Sequence, residues 1–120
     1  MTKAAPDGYT LLAFGSTLWH LPLLQSVPYD PVKDLAPIIL VAEMPSLLVV
    51  NPKVPAGNLQ ELVAVARARP GQLNLASSGA GTAVHLSGEL FKSMAGVDLT
   101  HVPYKGAGPA IVDVIAGQCD

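Results

Sequence analysis

Charge is scarce in this chain. Of its 120 residues 13% are Asp, Glu, Lys or Arg, the formal net charge is -2, and the basic residues form no run. Nucleic-acid binding therefore finds no support, since it needs a clustered Lys/Arg footprint. Cysteine occurs once, as Cys119, which excludes an intramolecular disulfide and a cysteine-rich metal site. The three histidines, His20, His85 and His101, form neither a His-x-x-x-His pair nor a Cys/His cluster, so no metal is expected. The most apolar window, Leu35 to Val50, is broken by Pro37, Glu43, Pro45 and Ser46 and is shorter than a membrane-spanning helix requires. The opening residues Met1 to Asp7 contain no apolar core of a signal peptide.

Apolar side chains, by contrast, make up 50% of the residues, enough for a packed core. Their spacing predicts alternating strands and helices. Residues 1–5 read as a helix tail stopped by Pro6-Asp7-Gly8. Tyr9 to Phe14 reads as a strand, followed by the small loop Gly15-Ser16-Thr17 and a short helix over Leu18–Leu24 that Pro22 disturbs or bounds. Asp30 is placed to cap a turn beginning at Pro31. Ala36–Ala42 and Leu47–Val50 read as strands covered on both faces.

The clearest helix follows. Asn58 is its N-cap, Glu61 completes a capping box, and Leu59, Leu62, Val63 and Ala66 form one apolar face. Arg67 and Arg69 suit the negative end of its dipole as a solvated terminus. A strand from Leu73, a helix from about Thr82 to Ala95 with a buried stripe of Ala83, Leu86, Leu90 and Met94, a strand over Val97–Val102, and a last helix from near Pro109 burying Ile111, Val114 and Ile115 complete the pattern.

The stretch with chemical content is the loop between that strand and helix, Ser77-Ser78-Gly79-Ala80-Gly81-Thr82. Its glycines permit a tight turn and close backbone approach, its hydroxyls can donate, and the first amides of a helix have no partner within it. Such a terminus attracts anions. A plain strand-to-helix connection capped by Ser or Thr is the alternative. His85 lies one turn along and either faces the loop's mouth or braces the loop. Tyr104 and Lys105 occupy a later Gly/Pro-rich loop, where Tyr104 either stacks on a ligand or covers the core edge.

Nucleotide fingerprints fail. Val84 stands where the dinucleotide motif wants a third glycine or alanine, and the place some 20 positions on from the loop, where an acidic residue is wanted, is held by Thr100, His101 and Val102. No Gly-Lys-Ser/Thr and no Gly-x-Ser-x-Gly occurs, and no acid, base and nucleophile assemble, so no catalytic residue is assigned.

Ala5-Pro6-Asp7-Gly8-Tyr9-Thr10-Leu11-Leu12, Pro28-Tyr29-Asp30-Pro31-Val32-Lys33-Asp34, Leu48-Val49-Val50-Asn51-Pro52, Pro70-Gly71-Gln72-Leu73-Asn74, the Ser-x-Gly-x-Gly-Thr-x-x-His-Leu run at 77–86 and His101-Val102-Pro103-Tyr104-Lys105-Gly106 closely resemble the Bug-type substrate-binding proteins of the tripartite tricarboxylate transporter system. The resemblance covers nearly the whole chain in order. It implies an α/β fold of the type II periplasmic-binding-protein kind, with two lobes closing on a small carboxylate. Residues 1–42 would belong to lobe one and 43–120 to lobe two, crossing near 40–50. It further implies a fragment lacking the first strand and loop and the C-terminal return to lobe one.

No catalysis and no cofactor are implied. The expected ligand is a small di- or tricarboxylate or an amino-acid-like acid. Membrane transporter subunits are the expected partners, and the periplasm is the compartment of the intact family. Carried onto this chain, the first-lobe contacts are Gly15, Ser16 and Thr17. The second-lobe contacts are Ser77, Ser78, Gly79, Gly81 and Thr82, with His85 and Tyr104 nearby. After Ser16 the family shows His-x-x-Asn-Pro, whereas His20-Leu21-Pro22 here lacks the asparagine. The alternatives to a binding protein are a truncated remnant that binds nothing and a phosphate- or nucleotide-using α/β enzyme.

Overall fold

The computed structural model describes residues 4–120. They divide between Pro45 and Ser46 into two compact units.

The second unit holds the α/β core. Helix α2 (Leu59–Ala68) begins where the capping pattern places it: the Glu61 amide donates to Asn58 Oδ1 at 3.0 Å. The return arm of the box lands one residue early, with Glu61 Oε2 accepting from the Gly57 amide at 2.7 Å. Strand β1 (Asn74–Ser77), helix α3 (Ala83–Ala95) and strand β2 (Thr100–Pro103) form a β-α-β unit, whose strands pair in parallel from Asn74↔Thr100 to Ser77↔Pro103. A parallel pair needs a crossover of this kind because no tight turn can join its ends. Helix α4 (Ala107–Ala116) follows and ends at Gly117 in the left-handed conformation. Val54, Leu62, Ala66, Leu73, Val97 and Leu99 are the buried core, with Val50, Leu75, Phe91 and Ala95 packed against it. Two polar contacts close helix ends: Asn51 Nδ2 donates to the Val114 carbonyl at 2.6 Å, and Arg67 donates to the Ala95 carbonyl at 2.6 Å. Arg67 is thus more than a solvated helix end; it caps the carbonyls of α3, which have no partner inside the helix.

Helix α3 turns a different face to the core from the one its Leu and Met spacing suggests. Leu90 and Met94 are exposed, at 60% and 80%, Ala83 is exposed, and the buried position is Gly88. A Cβ at Gly88 would overlap Leu75 Cδ2, so the helix approaches β1 at the residue without a side chain. Phe91 and Ala95, one and two turns on, carry that face to the core. In α4, similarly, Ala110 is buried while Ile111 and Ile115 are exposed at 54% and 75%.

The first unit contains helix α1 (Thr17–Leu24), with Pro22 inside it and no buried residue. The turn at Asp30 forms as expected. Its carboxylate accepts from the Val32 and Lys33 amides at 2.9 and 3.2 Å, which hold the Asp30 carboxyl below its ordinary value. The expected strands over 9–14 and 36–42, and that over 47–50 at the start of the second unit, are absent; these residues carry no regular structure. A strand exists only through a ladder with a neighbour, and among the described residues none pairs with them. Ala4 and Ala5 are not helical, and residues 1–3 of the expected helix tail lie outside the described residues.

Candidate functional site

The loop 78–82 leaves the carboxyl end of β1, the edge at which parallel sheets present ligand-binding loops. Both glycines are in the positive-φ region, Gly79 at +134° and Gly81 at +75°, conformations that a side chain would strain. A Cβ at Gly79 would also meet the Tyr104 carbonyl oxygen at 3.3 Å. The loop is stitched to the one after β2 by backbone bonds: the Tyr104 amide donates to the Ser77 carbonyl at 2.9 Å and the Gly106 amide to the Ser78 carbonyl at 3.2 Å.

Thr82 is the N-cap of α3. Its Oγ1 accepts from the His85 amide at 3.3 Å and donates to the Gly79 carbonyl at 2.7 Å, while Ser78 Oγ donates to Thr82 Oγ1 at 3.3 Å. The cap therefore takes the third amide of the helix. Those of Ala83 and Val84 make no hydrogen bond among the described residues and stand at the positive end of the dipole. Not all the loop's amides are free. The Gly79 amide donates to Ser77 Oγ at 3.2 Å, and the Gly81 amide donates to His85 Nδ1 at 3.1 Å.

Ser77 is 1% exposed and acts inside the loop, with its hydroxyl 2.7 Å from His101 Nε2. The imidazoles of His85 and His101 are stacked, 4.0 Å between centroids and 15° between planes. Burial, and then the neighbouring His85, push the His101 pKa down. Glu89 Oε1 lies 3.9 Å from His85 Nε2 and is itself bound by Lys92 Nζ at 3.0 Å.

Of the expected contacts, Ser77, Ser78, Gly79, Gly81, Thr82 and His85 come together in one cluster. Tyr104 joins it through its backbone, whereas its hydroxyl turns away and donates to Asp113 Oδ2 on α4 at 2.8 Å; that bond raises its pKa to about 12. Gly15, Ser16 and Thr17 belong to the first unit. Ser16 precedes α1 without a side-chain cap bond, and Thr17 borders a hollow of about 350 Å³ with Leu12, Phe14, Leu21 and Tyr29.

His101 and Glu89 are cluster members that the sequence reading did not place. Strand register carries the signal for His101, because Ser77 pairs with Pro103 and positions two apart share a face of a sheet. Without the partner strand that signal is invisible. A larger groove of about 850 Å³ in the second unit runs past Leu47, Leu75, Phe91 and Ile111; only its Ser77 and Ser78 edge belongs to the loop, and its apolar walls do not suit an anion. Among the described residues no three His, Cys, Asp or Glu side chains gather as a metal site would require.

The profile of the family described as "Tripartite tricarboxylate transporter family receptor" matches residues 1–120. The chain belongs to this receptor family. It is similar to Protein BugT of Bordetella pertussis, 42% identical over 118 residues, which are 96% of this chain and 36% of BugT. It is also similar to the UPF0065 protein in the gbd 5' region of Cupriavidus necator, 38% identical over 98% of this chain and 36% of that protein. The chain thus spans about a third of the length of these curated relatives. Among solved structures it resembles R. palustris Rpa4515 with adipate, with a TM-score of 0.74 and 41% identity over 79% of this chain and 32% of that one. A second structure, described as that of a periplasmic transporter, matches 59% of the chain and 24% of that chain with a TM-score of 0.58. The fold is an α/β fragment with parallel strands that matches part of such a receptor. Proteins of this family bind transporter substrates and are not catalysts. Among the described residues, no helix is long and apolar enough to cross a membrane.

Proposed function

We propose that this chain is part of an extracytoplasmic receptor that binds a small di- or tricarboxylate, or an amino-acid-like acid, and delivers it to the membrane subunits of a tripartite transporter without chemical change. The observation carrying this reading is the Ser77–Thr82 loop. It is braced from within by its own hydroxyls and by His85, and leaves the amides of Ala83 and Val84 unpaired at the start of α3. Amides held this way offer a carboxylate oxygen directed donors in a dipole field, with little reorganisation on binding. Family membership and the adipate held by the similar R. palustris structure favour a carboxylate over a phosphate. In this reading Gly15, Ser16 and Thr17 supply contacts from the first lobe, residues 1–42 and 43–120 are parts of two lobes with a crossing near 40–50, and the intact receptor works in the periplasm.

Calorimetry with adipate as probe tests it. Heat of binding to this chain is expected, and Gly81→Trp, which fills the loop, or Thr82→Asp, which places a negative charge at the helix start, should abolish it. Equal affinity in those variants would sink the proposal. The exposed apolar residues of the first unit, among them Tyr9 at 92% and Val41 at 83%, favour a second reading in which the chain folds in part and binds nothing. A melting temperature indifferent to adipate, in a chain that melts cooperatively, would select that reading.

A further inference from the structure

The His85–His101 pair does more than fill space. Because the Gly81 N–H donates to His85 Nδ1, that nitrogen carries a lone pair, and the neutral ring holds its proton on Nε2, facing Glu89. A second proton can enter only at Nδ1, where it would set donor against donor with the Gly81 amide. Glu89 and, through it, Lys92 are the charged groups facing the ring from its own helix. From β2 the facing group is His101, stacked at 4.0 Å, and the one acid of α4, Asp113, is engaged by the Tyr104 hydroxyl. His101 in turn meets Ser77 Oγ at 2.7 Å, and that same oxygen accepts the Gly79 amide. Each imidazole thus holds one glycine of the loop, His85 directly and His101 through Ser77.

We propose that the two stacked histidines are a pH latch on the glycine loop: neutral, they hold Gly79 and Gly81 in the ligand-ready shape, and protonation of His85 releases Gly81 and lowers affinity for a carboxylate. Histidine is the side chain whose unperturbed charge change lies between about pH 5 and 8. Glu89 is positioned to receive the imidazolium once the Gly81 bond is broken. Burial and the neighbouring His85 hold the His101 pKa down.

Nitrogen–proton NMR of this chain, titrated from about pH 8 to about pH 5, tests the latch without any ligand. The Gly81 amide is expected to shift with the same midpoint as the His85 ring. His85→Gln keeps an acceptor on α3 that cannot titrate, and in that variant the Gly81 amide should stay fixed. A Gly81 amide that ignores the titration of His85, or that still moves in the variant, overturns the proposal.

The effect on affinity rests on the carboxylate reading above and is measured with adipate at about pH 8 and about pH 6. Loss of one such hydrogen bond predicts about tenfold weaker binding at the lower pH, and a flat response in His85→Gln. Equal affinity at both pH values in the unaltered chain removes the release role. Absence of binding at either pH counts against the carboxylate reading, and the Gly81 titration still decides the latch.

Discussion

Both units of the chain carry runs of Leu, Ile and Val, and they treat them differently. In the second, Val54, Leu62, Ala66, Leu73, Val97 and Leu99 are drawn from a loop, a helix and the flanks of two strands into one buried cluster. In the first, Leu11, Phe14, Ile38, Ile39, Leu40 and Val41 are each at least 67% exposed, although their sequence reads as strand. The difference lies in partners. The second unit contains a β-α-β unit whose two strands pair with each other and whose helix brings Phe91 and Ala95 to the core, although Leu90 and Met94 stay exposed. A hydrophobic run without a ladder gains neither, and its side chains keep their contact with water.

The sharpest way to break this comparison is to truncate one side chain in each unit. Leu62→Ala removes a buried core residue and should cost about 2–5 kcal/mol, read as a lower urea midpoint by circular dichroism. Ile39→Ala, at a site 77% exposed, should stay within about 0.5 kcal/mol. A large cost at Ile39 would show that the first unit has a core of its own. Next in size is Gly88→Val, which drives two methyl groups into Leu75. Overpacking of about 1–3 kcal/mol is expected there, whereas the same change at Gly15, where an added Cβ meets nothing within 4 Å, should be much milder.

Thr82→Ala removes the cap of α3 and should cost about 1 kcal/mol in the same urea melts, with weaker adipate binding. Ser16→Ala, where no cap bond exists, should cost less. The smallest effect separates the units by pH. His101 has a depressed pKa in the folded state, so on acidification the unfolded chain takes up its proton first. The stability that His101 contributes is full above about pH 6.5 and is lost as pH falls from there toward its folded value. Asp30 is also depressed, but from 3.8, so its contribution is present above that value and lost only below it. Between about pH 7 and 5, then, melts should weaken while the Asp30 turn, followed by the Val32 and Lys33 amide signals, stays intact. Loss of those signals in that window would contradict the assignment.

Local chemistry was legible in the residues wherever a few neighbours sufficed. Asn58 and Glu61 mark a helix start and Asp30 marks a turn, because each acts on backbone groups within a few positions. The Ser77–Thr82 loop was legible for the same reason: its glycines adopt positive φ and its threonine caps the following helix. Family resemblance added the carboxylate expectation, and the profile match over the full chain bears out the family.

What the residues could not disclose was which apolar face each helix buries and which side chains meet across the sheet. Leu90 and Met94 satisfy the helical period as well as Phe91 and Ala95 do, and only the approach of β1 at Gly88 chooses between them. The stack of His85 on His101, and the bond from His101 to Ser77, join residues far apart in the chain through the parallel register of β1 and β2. By itself, then, the sequence determined the turns, caps, glycine loop and family of this protein, since those depend on bonds among near neighbours. The tertiary structure alone decided how the loop is braced and which hydrophobic residues count as core, because burial and side-chain pairing depend on what another segment brings to the same place.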